Sequence, residues 1–135
     1  MKKFCDKCLK DVDVIYKEEN TREFIDDVEI EYLEKYYVCK KCNHEFYDDL
    51  HDYNIDAANY EYRKAIGMIT IPEIEEIIEK YNIGKKPLSL ILGLGEITIT
   101  RYLDGQNPTK ENSELLKNIK DNPCLYELYL LGNKD

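Results

Sequence analysis

The sequence predicts an α+β protein with a small antiparallel β domain in residues 1–52, a connecting helix and linker in residues 53–70 and an all-helical domain in residues 71–135. Three observations predict this division. Four of the five cysteines lie in the first 42 residues, and apolar residues alternate with charged ones near the start of the chain. Apolar residues at helical spacing replace that alternation after Asn54.

Strands are predicted in the first domain where the side-chain pattern has a period of two. In residues 12–16, Val12, Val14 and Tyr16 alternate with Asp13 and Ile15, and in residues 28–32 apolar side chains alternate with glutamates; a period of two in β-branched and aromatic residues is typical of half-buried strands. Residues 36–38 extend a strand towards the second pair of cysteines. We therefore expect an antiparallel sheet of two to four strands.

Helices are predicted from Asn54 onwards. The pattern of residues 54–66 indicates a connecting helix that ends at Gly67. Thr70 followed by Glu73 is a capping-box signature, and it marks the start of the next helix. The apolar stripe of that helix is Ile71, Ile74, Ile77, Ile78 and Tyr81. The same reasoning predicts helices over residues 85–92, 96–103 and 109–119, and a last one that Pro123 opens with Leu125, Leu128, Tyr129 and Leu131.

Composition excludes several classes of protein. The chain of 135 residues carries a formal net charge of −9, which argues against non-specific coating of nucleic acid. No apolar run reaches the 18 or so residues that a membrane-spanning helix needs, and no secretory signal is recognisable, so we expect a cytoplasmic protein. The sequence contains no phosphate-binding loop, nucleophile elbow or HExxH motif, so we expect no enzyme.

The cysteines form two Cys-x-x-Cys pairs, Cys5 with Cys8 and Cys39 with Cys42. Two such pairs supply four thiolates in a tetrahedral arrangement, which is the ligand set of structural zinc sites. Thirty residues separate the pairs, and an intervening hairpin would accommodate that distance. We predict a structural Zn²⁺ ion on these four residues. Buried free thiols, an iron centre and redox pairs are the alternatives.

Two histidines and a fifth cysteine lie outside the two cysteine pairs. His44 and His51 are possible alternative ligands, although four cysteines already complete the set, so we expect both to be exposed surface residues. Cys124 lies far along the chain beside Pro123, and we expect it to be a small buried apolar residue.

Residues 92–105 predict a helix-turn-helix, because a glycine-containing turn separates two short helices. In that motif the second helix enters the DNA major groove, and its N-terminal residues meet the base edges. Arg101 can bind guanine or phosphate, and Thr98 and Thr100 can contact phosphate or a thymine methyl group. The candidate DNA-binding residues are Lys85, Lys86, Glu96, Ile97, Thr98, Thr100, Arg101 and Lys110.

Both halves together resemble the MqsA/YgiT-type antitoxins, in which a zinc-finger domain precedes a Cro/repressor-like (Xre/Cro-like) helix-turn-helix. The resemblance covers essentially the whole chain and rests on Cys5-Asp6-Lys7-Cys8, Tyr37-Val38-Cys39-Lys40-Lys41-Cys42, residues 92–105 with Thr100-Arg101-Tyr102, Pro108 and the helix of residues 113–119. It implies a DNA-binding antitoxin of a type II toxin–antitoxin system, which neutralises a cognate toxin, commonly an mRNA-cleaving RNase. It also implies a homodimer that binds palindromic operator DNA and represses its own operon.

Two features of the sequence bear on that implication. Arg101 stands where the family has a base-reading arginine, but Ile97 stands where the family has a base-reading asparagine, beside the acidic Glu96. Acidic residues are also concentrated on the predicted hairpin, where they suit a basic toxin or form a solvated surface: Glu18, Glu19, Glu23, Asp26, Asp27, Glu29, Glu31 and Glu34.

Two other functions remain open from the sequence. One is a stand-alone transcriptional regulator of phage or mobile-element origin, which binds an operator but has no toxin. The other is a protein-interaction adaptor whose helix-turn-helix does not read DNA, which the acidic charge and Ile97 favour. The last helix, with Leu125, Leu128 and Leu131, is the candidate dimer interface or closes the core of the helical domain.

Overall fold

A computed structural model of the chain describes residues 1–132 and confirms the α+β class. The chain divides into two compact units, Met1–Tyr62 and Arg63–Asp135. The last three residues of the predicted helical domain lie outside the described residues. Among the helices described, none is long and apolar enough to cross a membrane.

The first unit contains an antiparallel sheet in the order β1-β2-β3-β4. Its strands are β1 (Lys2–Cys5), β2 (Lys10–Ile25), β3 (Val28–Cys39) and β4 (Glu45–Phe46). The predicted small sheet is thus confirmed, but β2 and β3 are much longer than the sequence indicated. Residues 17–25 are mostly polar and exposed, so they carry no alternation, and only their pairing with β3 makes them a strand.

A two-residue turn joins β2 to β3. Asp26 and Asp27 occupy it with φ of 46° and 65°. Both angles lie in the left-handed region, which suits the tight hairpin turn whose twist matches the flanking strands, and aspartate tolerates that region better than most residues. The hairpin register runs without a break from Val14 opposite Cys39 to Ile25 opposite Val28.

The connecting helix α1 (His51–Ala65) follows a single 3-10 turn and is confirmed close to its predicted position. Asn54, on α1, is buried and bonds the outer edge of β3. Its side-chain amide donates to the carbonyl of Lys35 at 2.8 Å and accepts from the Lys35 N–H at 2.9 Å. One amide thus replaces a neighbouring strand at this point of the sheet.

The second unit is helical throughout its described part. Its helices are α2 (Ile71–Lys80), α3 (Lys85–Ile91), α4 (Thr98–Leu103), α5 (Lys110–Asp121) and α6 (Pro123–Gly132). The predicted capping box is present at α2: the Thr70 hydroxyl accepts from the Glu73 N–H, and the Glu73 carboxylate accepts from the Thr70 N–H. Ten buried residues form the core: Ile69, Ile74, Ile77, Leu88, Leu92, Ile99, Tyr102, Leu116, Ile119 and Tyr126.

Three predictions about this unit need correction. Helix α4 begins at Thr98 rather than at Glu96, because the Thr98 N–H bonds the Gly95 carbonyl in a turn that holds residues 96 and 97 outside the helix. Cys124 is exposed rather than buried, since it lies in the first turn of α6 on the side away from the core. In α6 the buried residue is Tyr126, whose ring stacks on Tyr81 with centroids 3.9 Å apart. Leu125 and Tyr129 pack against the core as predicted, whereas Leu128 and Leu131 are exposed.

Candidate functional site

The four predicted cysteines lie together at the base of the hairpin. Cys5 ends β1 and Cys39 ends β3, while Cys8 and Cys42 lie in the turns that follow. Their sulfur atoms all lie within 4.8 Å of one another. The strands therefore deliver one cysteine of each pair, and the turns deliver the other.

The two turns have the same backbone geometry. In each, the residue after the second cysteine has a left-handed φ, 57° at Leu9 and 62° at Asn43. Its N–H bonds the carbonyl of the first cysteine, at 2.8 Å from Leu9 to Cys5 and 2.9 Å from Asn43 to Cys39. Two separate sequence segments thus adopt one conformation that directs paired sulfurs to a common point.

The sulfur positions suit a tetrahedral metal ion. Zn–S bonds are about 2.3 Å long, so sulfurs at the corners of a regular tetrahedron are about 3.8 Å apart. The Sγ atoms of Cys5 and Cys42 are 3.7 Å apart, and those of Cys8 and Cys39 are 3.8 Å apart. Four close cysteines in this arrangement can hold a metal ion such as zinc.

Backbone N–H groups support the sulfurs. The Cys8 N–H donates to Cys5 Sγ and the Lys41 N–H to Cys39 Sγ, each at 3.4 Å. Burial raises the pKa of Cys39, but the backbone N–H groups of Cys42 and Lys41 outweigh it and bring the pKa down to about 7. The thiol of Cys42, together with burial, raises the pKa of Cys8 to about 12. A bound divalent cation favours the thiolate form of all four cysteines, so none of the thiols would keep its proton when the ion is present.

Neither predicted histidine belongs to the cysteine cluster. His44 is half-buried rather than exposed, because its ring stacks on Phe46 and its Nε2 lies 2.8 Å from the carboxylate of Asp6. This contact joins the two cysteine turns, since Asp6 lies in the first and His44 directly follows the second. His51 is exposed at the start of α1, as expected.

The turn between α3 and α4 is fixed by backbone bonds. Gly93, with φ of 73°, ends α3, its N–H bonds the Leu90 carbonyl, and the Leu94 N–H bonds the Ser89 carbonyl. These two bonds make the Schellman motif of helix ends. The buried hydroxyl of Ser89 also accepts from the Ile99 N–H at 3.1 Å, which ties the start of α4 to α3. No pattern in the sequence predicts this role of Ser89.

The candidate DNA-binding residues lie on or beside these helices. Lys85 and Lys86 open α3, Lys110 opens α5, and all three side chains are exposed. Glu96 and Ile97 are exposed in the turn before α4. Within α4 itself Thr98 and Thr100 are half-buried and Arg101 is exposed. The Lys86 ammonium lies 3.3 Å from the Glu96 carboxylate, so that lysine already has an acidic partner.

A buried arginine is a second feature that the sequence did not predict. Arg63 is fully buried and donates to the carbonyls of Tyr102 and Gln106 and to the side chain of Asn107, at 3.2, 2.9 and 3.3 Å. It therefore holds the end of α4 and the loop after it. Arg63 sits among alanines and tyrosines in a helix of mixed composition, and no sequence pattern distinguishes it from an exposed arginine.

Comparison with protein-family models, with curated proteins and with solved structures finds no match to this chain.

Proposed function

We propose that the protein is a metal-dependent DNA-binding antitoxin, which neutralises a cognate toxin and represses its own operon. The observation that carries the proposal is the order of two sites along one chain: a four-cysteine cluster followed by a helical unit that exposes Arg101 on a short helix after a tight turn. This is the order in the MqsA/YgiT-type antitoxins that the sequence resembles.

The geometry of α3 and α4 supports DNA binding as follows. Ile99 and Tyr102 anchor α4 in the core, so the other side of the helix is presented outwards with Arg101. Arg101 is the fourth of the six residues of α4, and an exposed arginine on the second helix can reach base edges, as in the helix-turn-helix proteins. The lysines of α3 and α5 add positive charge for phosphate contacts, although the whole chain is acidic.

The experiment is a fluorescence-anisotropy titration with the DNA upstream of the protein's own gene. A scrambled duplex is the competitor, and two salt concentrations are used. We expect selective, salt-sensitive binding, and Arg101→Ala should weaken it by about 5- to 150-fold, the range for loss of a groove-reading arginine. Lys2→Ala, which removes one exposed positive charge from the sheet unit, is the matched control and should change affinity little. Equal affinity for both duplexes at both salt concentrations would contradict the proposal that the protein binds operator DNA.

The proposed neutralisation of a cognate toxin needs a separate experiment. We expect co-expression of this protein to relieve the growth arrest caused by the product of the neighbouring gene, and the two proteins to co-purify. Operator binding without any stoichiometric partner would instead identify a stand-alone regulator.

An adaptor that does not read DNA is the second candidate function. The Lys86–Glu96 ion pair favours it, because the pair places an acidic group where a phosphate would approach. Ile97 is half exposed, at 50%, and offers an apolar contact in place of the family's asparagine. If the protein is such an adaptor, we expect no DNA binding even at low salt, and Arg101→Ala should not change the anisotropy signal.

A further inference from the structure

The outer edge of β2 has a stretch with no neighbouring strand. β1 pairs with β2 only from Lys10 to Asp13, and the Met1 carbonyl accepts a hydrogen bond from the Val14 N–H. From there to the hairpin turn, β3 is the only strand beside β2 among residues 1–132. We name residues 16–24 of β2 the open edge. Long unpaired strand edges are templates for pairing with another chain.

The orientation of the backbone groups follows from the contact between Asn54 and Lys35. Both the N–H and the carbonyl of Lys35 bond Asn54 on the outer side of β3, so neither points towards β2. Glu18 lies directly opposite Lys35, and in an antiparallel ladder both members of such a pair point outwards. Every second residue shares this orientation, so five residues present free backbone groups along the open edge: Tyr16, Glu18, Asn20, Arg22 and Phe24.

We propose that the open edge pairs with the open edge of a second copy of this chain, antiparallel and about a two-fold axis at Asn20. Asn20 is the middle residue of the open edge, four residues from each end. In this register Tyr16 faces Phe24 of the other copy and Asn20 faces its own equivalent. The hairpin turn of one copy then reaches the place where β1 of the other begins to cover its β2.

The charges of the open edge are complementary to themselves in this register. Lys17 faces Glu23 and Glu18 faces Arg22, and the two-fold axis produces each pair twice. Directly opposite residues on neighbouring strands lie on the same face of the sheet, so each pair can make contact. The aromatic rings of Tyr16 and Phe24, exposed by 43% and 71%, meet at both ends of the interface.

Neighbouring registers lack this complementarity. Only shifts of two residues keep the outward-pointing groups opposite one another. A shift one way places Glu19 against its own equivalent, and a shift the other way places Glu19 against Glu23. A further step places Glu18 or Arg22 against its own equivalent. Like charges directly opposite destabilise a strand pair, so the register centred on Asn20 is selected by charge.

The expected dimer is weak, because two nine-residue strand edges bury less than the roughly 1,200 Å² of the smaller stable interfaces. A dissociation constant of about 10–100 μM is of the order that such an interface gives. The proposal is independent of the proposed function, since it requires neither DNA nor a toxin.

Sedimentation equilibrium of the full chain at physiological salt tests the proposal. Lys17→Glu and Glu23→Lys each create two like-charge pairs and should each raise the dissociation constant about tenfold. The double variant Lys17→Glu/Glu23→Lys restores opposite charges and should return the constant to near the wild-type value. Neither residue is part of a salt bridge within the first unit, so the swap leaves the hairpin's own ion pairs in place. Glu75→Lys, an exposed charge change on α2, is the control and should have no effect.

A backbone variant tests the strand pairing itself. Asn20→Pro removes an N–H that points away from β3, so it should abolish the dimer without breaking the hairpin. Asn20→Ala keeps that N–H and should dimerise as the wild type does. Circular dichroism checks that both variants are folded. A wild-type chain that stays monomeric at 1 mM, or a dimer that is equally strong in all of these variants, would overturn the proposal.

Discussion

Removal of the metal should unfold the first unit and leave the second unit folded. The perturbation is a chelator that withdraws the ion from the four cysteines, or the substitution Cys39→Ser, which removes a fully buried ligand. Metal analysis of the purified protein should first find about one zinc ion per chain. The two units have separate cores, so we expect the loss to be confined to the sheet.

The magnitude follows from the content of the two cores. The buried cluster around the four cysteines consists of Val12, Val14 and Tyr37 together with Cys5 and Cys39, and Ile30, Tyr36 and Ala58 are buried elsewhere in the first unit. Burial of three apolar side chains stabilises by about 5–9 kcal/mol, whereas a structural zinc ion contributes about 10–16 kcal/mol. A bound zinc ion would therefore contribute more than the apolar cluster around it, and we expect the sheet to unfold when the ion is removed. The described part of the second unit has a core of ten buried apolar residues, so we expect no such dependence there.

Circular dichroism and heteronuclear NMR during titration with a chelator provide the assay. The strand signals should disappear with the metal while the signals of α2–α6 persist, and re-addition of zinc should restore the sheet. Cys124→Ser is the matched control, because Cys124 is an exposed thiol outside the cluster and its loss should change neither metal content nor stability. A sheet that survives in protein shown to be metal-free would refute this reasoning.

Three further predictions concern individual side chains. Asn54→Ala should destabilise the first unit by about 1–3 kcal/mol, because it leaves the N–H and the carbonyl of Lys35 unpaired. Ile55→Ala, at an exposed site of the same helix, is the control and should cost little. Thermal melts measure both variants. Burial opposes ionisation of Glu73, but its bonds to Thr70 and Lys120 prevail and lower its pKa, so its contribution is present above the unfolded pKa of about 4.5 and is lost as the pH falls through the folded value. Glu73→Gln should therefore cost about 1 kcal/mol at pH 7 and progressively less in urea melts below pH 4.5, while Glu75→Gln should show no such pH dependence. Arg63→Lys should destabilise the second unit by about 3 kcal/mol in urea melts, since one ammonium cannot bond the Tyr102 and Gln106 carbonyls and Asn107 at once; a loss below 0.5 kcal/mol would contradict that role.

The sequence predicted best those features that local chemistry determines. The capping box at Thr70 and Glu73, the apolar stripe of α2 and the pairing of the cysteines all depend on residues close together in the chain. The start of α4 was predicted two residues too early, because residues 96 and 97 have a helical pattern but the Gly95 turn holds them outside the helix. Backbone hydrogen bonds form this turn, and the pattern of side chains does not predict them.

Features that depend on distant partners could not be predicted. Residues 17–25 form a strand only because residues 28–36 return beside them, and their polar composition gives no sign of it. Asn54 and Arg63 are polar residues whose burial depends on carbonyls that are remote in sequence or supplied by another element. Tyr126 is buried against Tyr81 of α2, which is remote in sequence, whereas Leu128 and Leu131 of the same helix are exposed.

The position of the cysteine cluster explains how so long a hairpin is supported. The buried residues of β2 end at Val14, and beyond that point the strand is exposed on nearly every residue. Two-stranded hairpins are marginally stable in water on their own. The cluster joins the ends of β1 and β3 at the base of the hairpin, and Asn54 with Tyr62, which bonds Asp26 at the turn, supports β3 along its length. Support is thus concentrated on β3 and at the base, and the open edge of β2 is the side that remains available to a second chain.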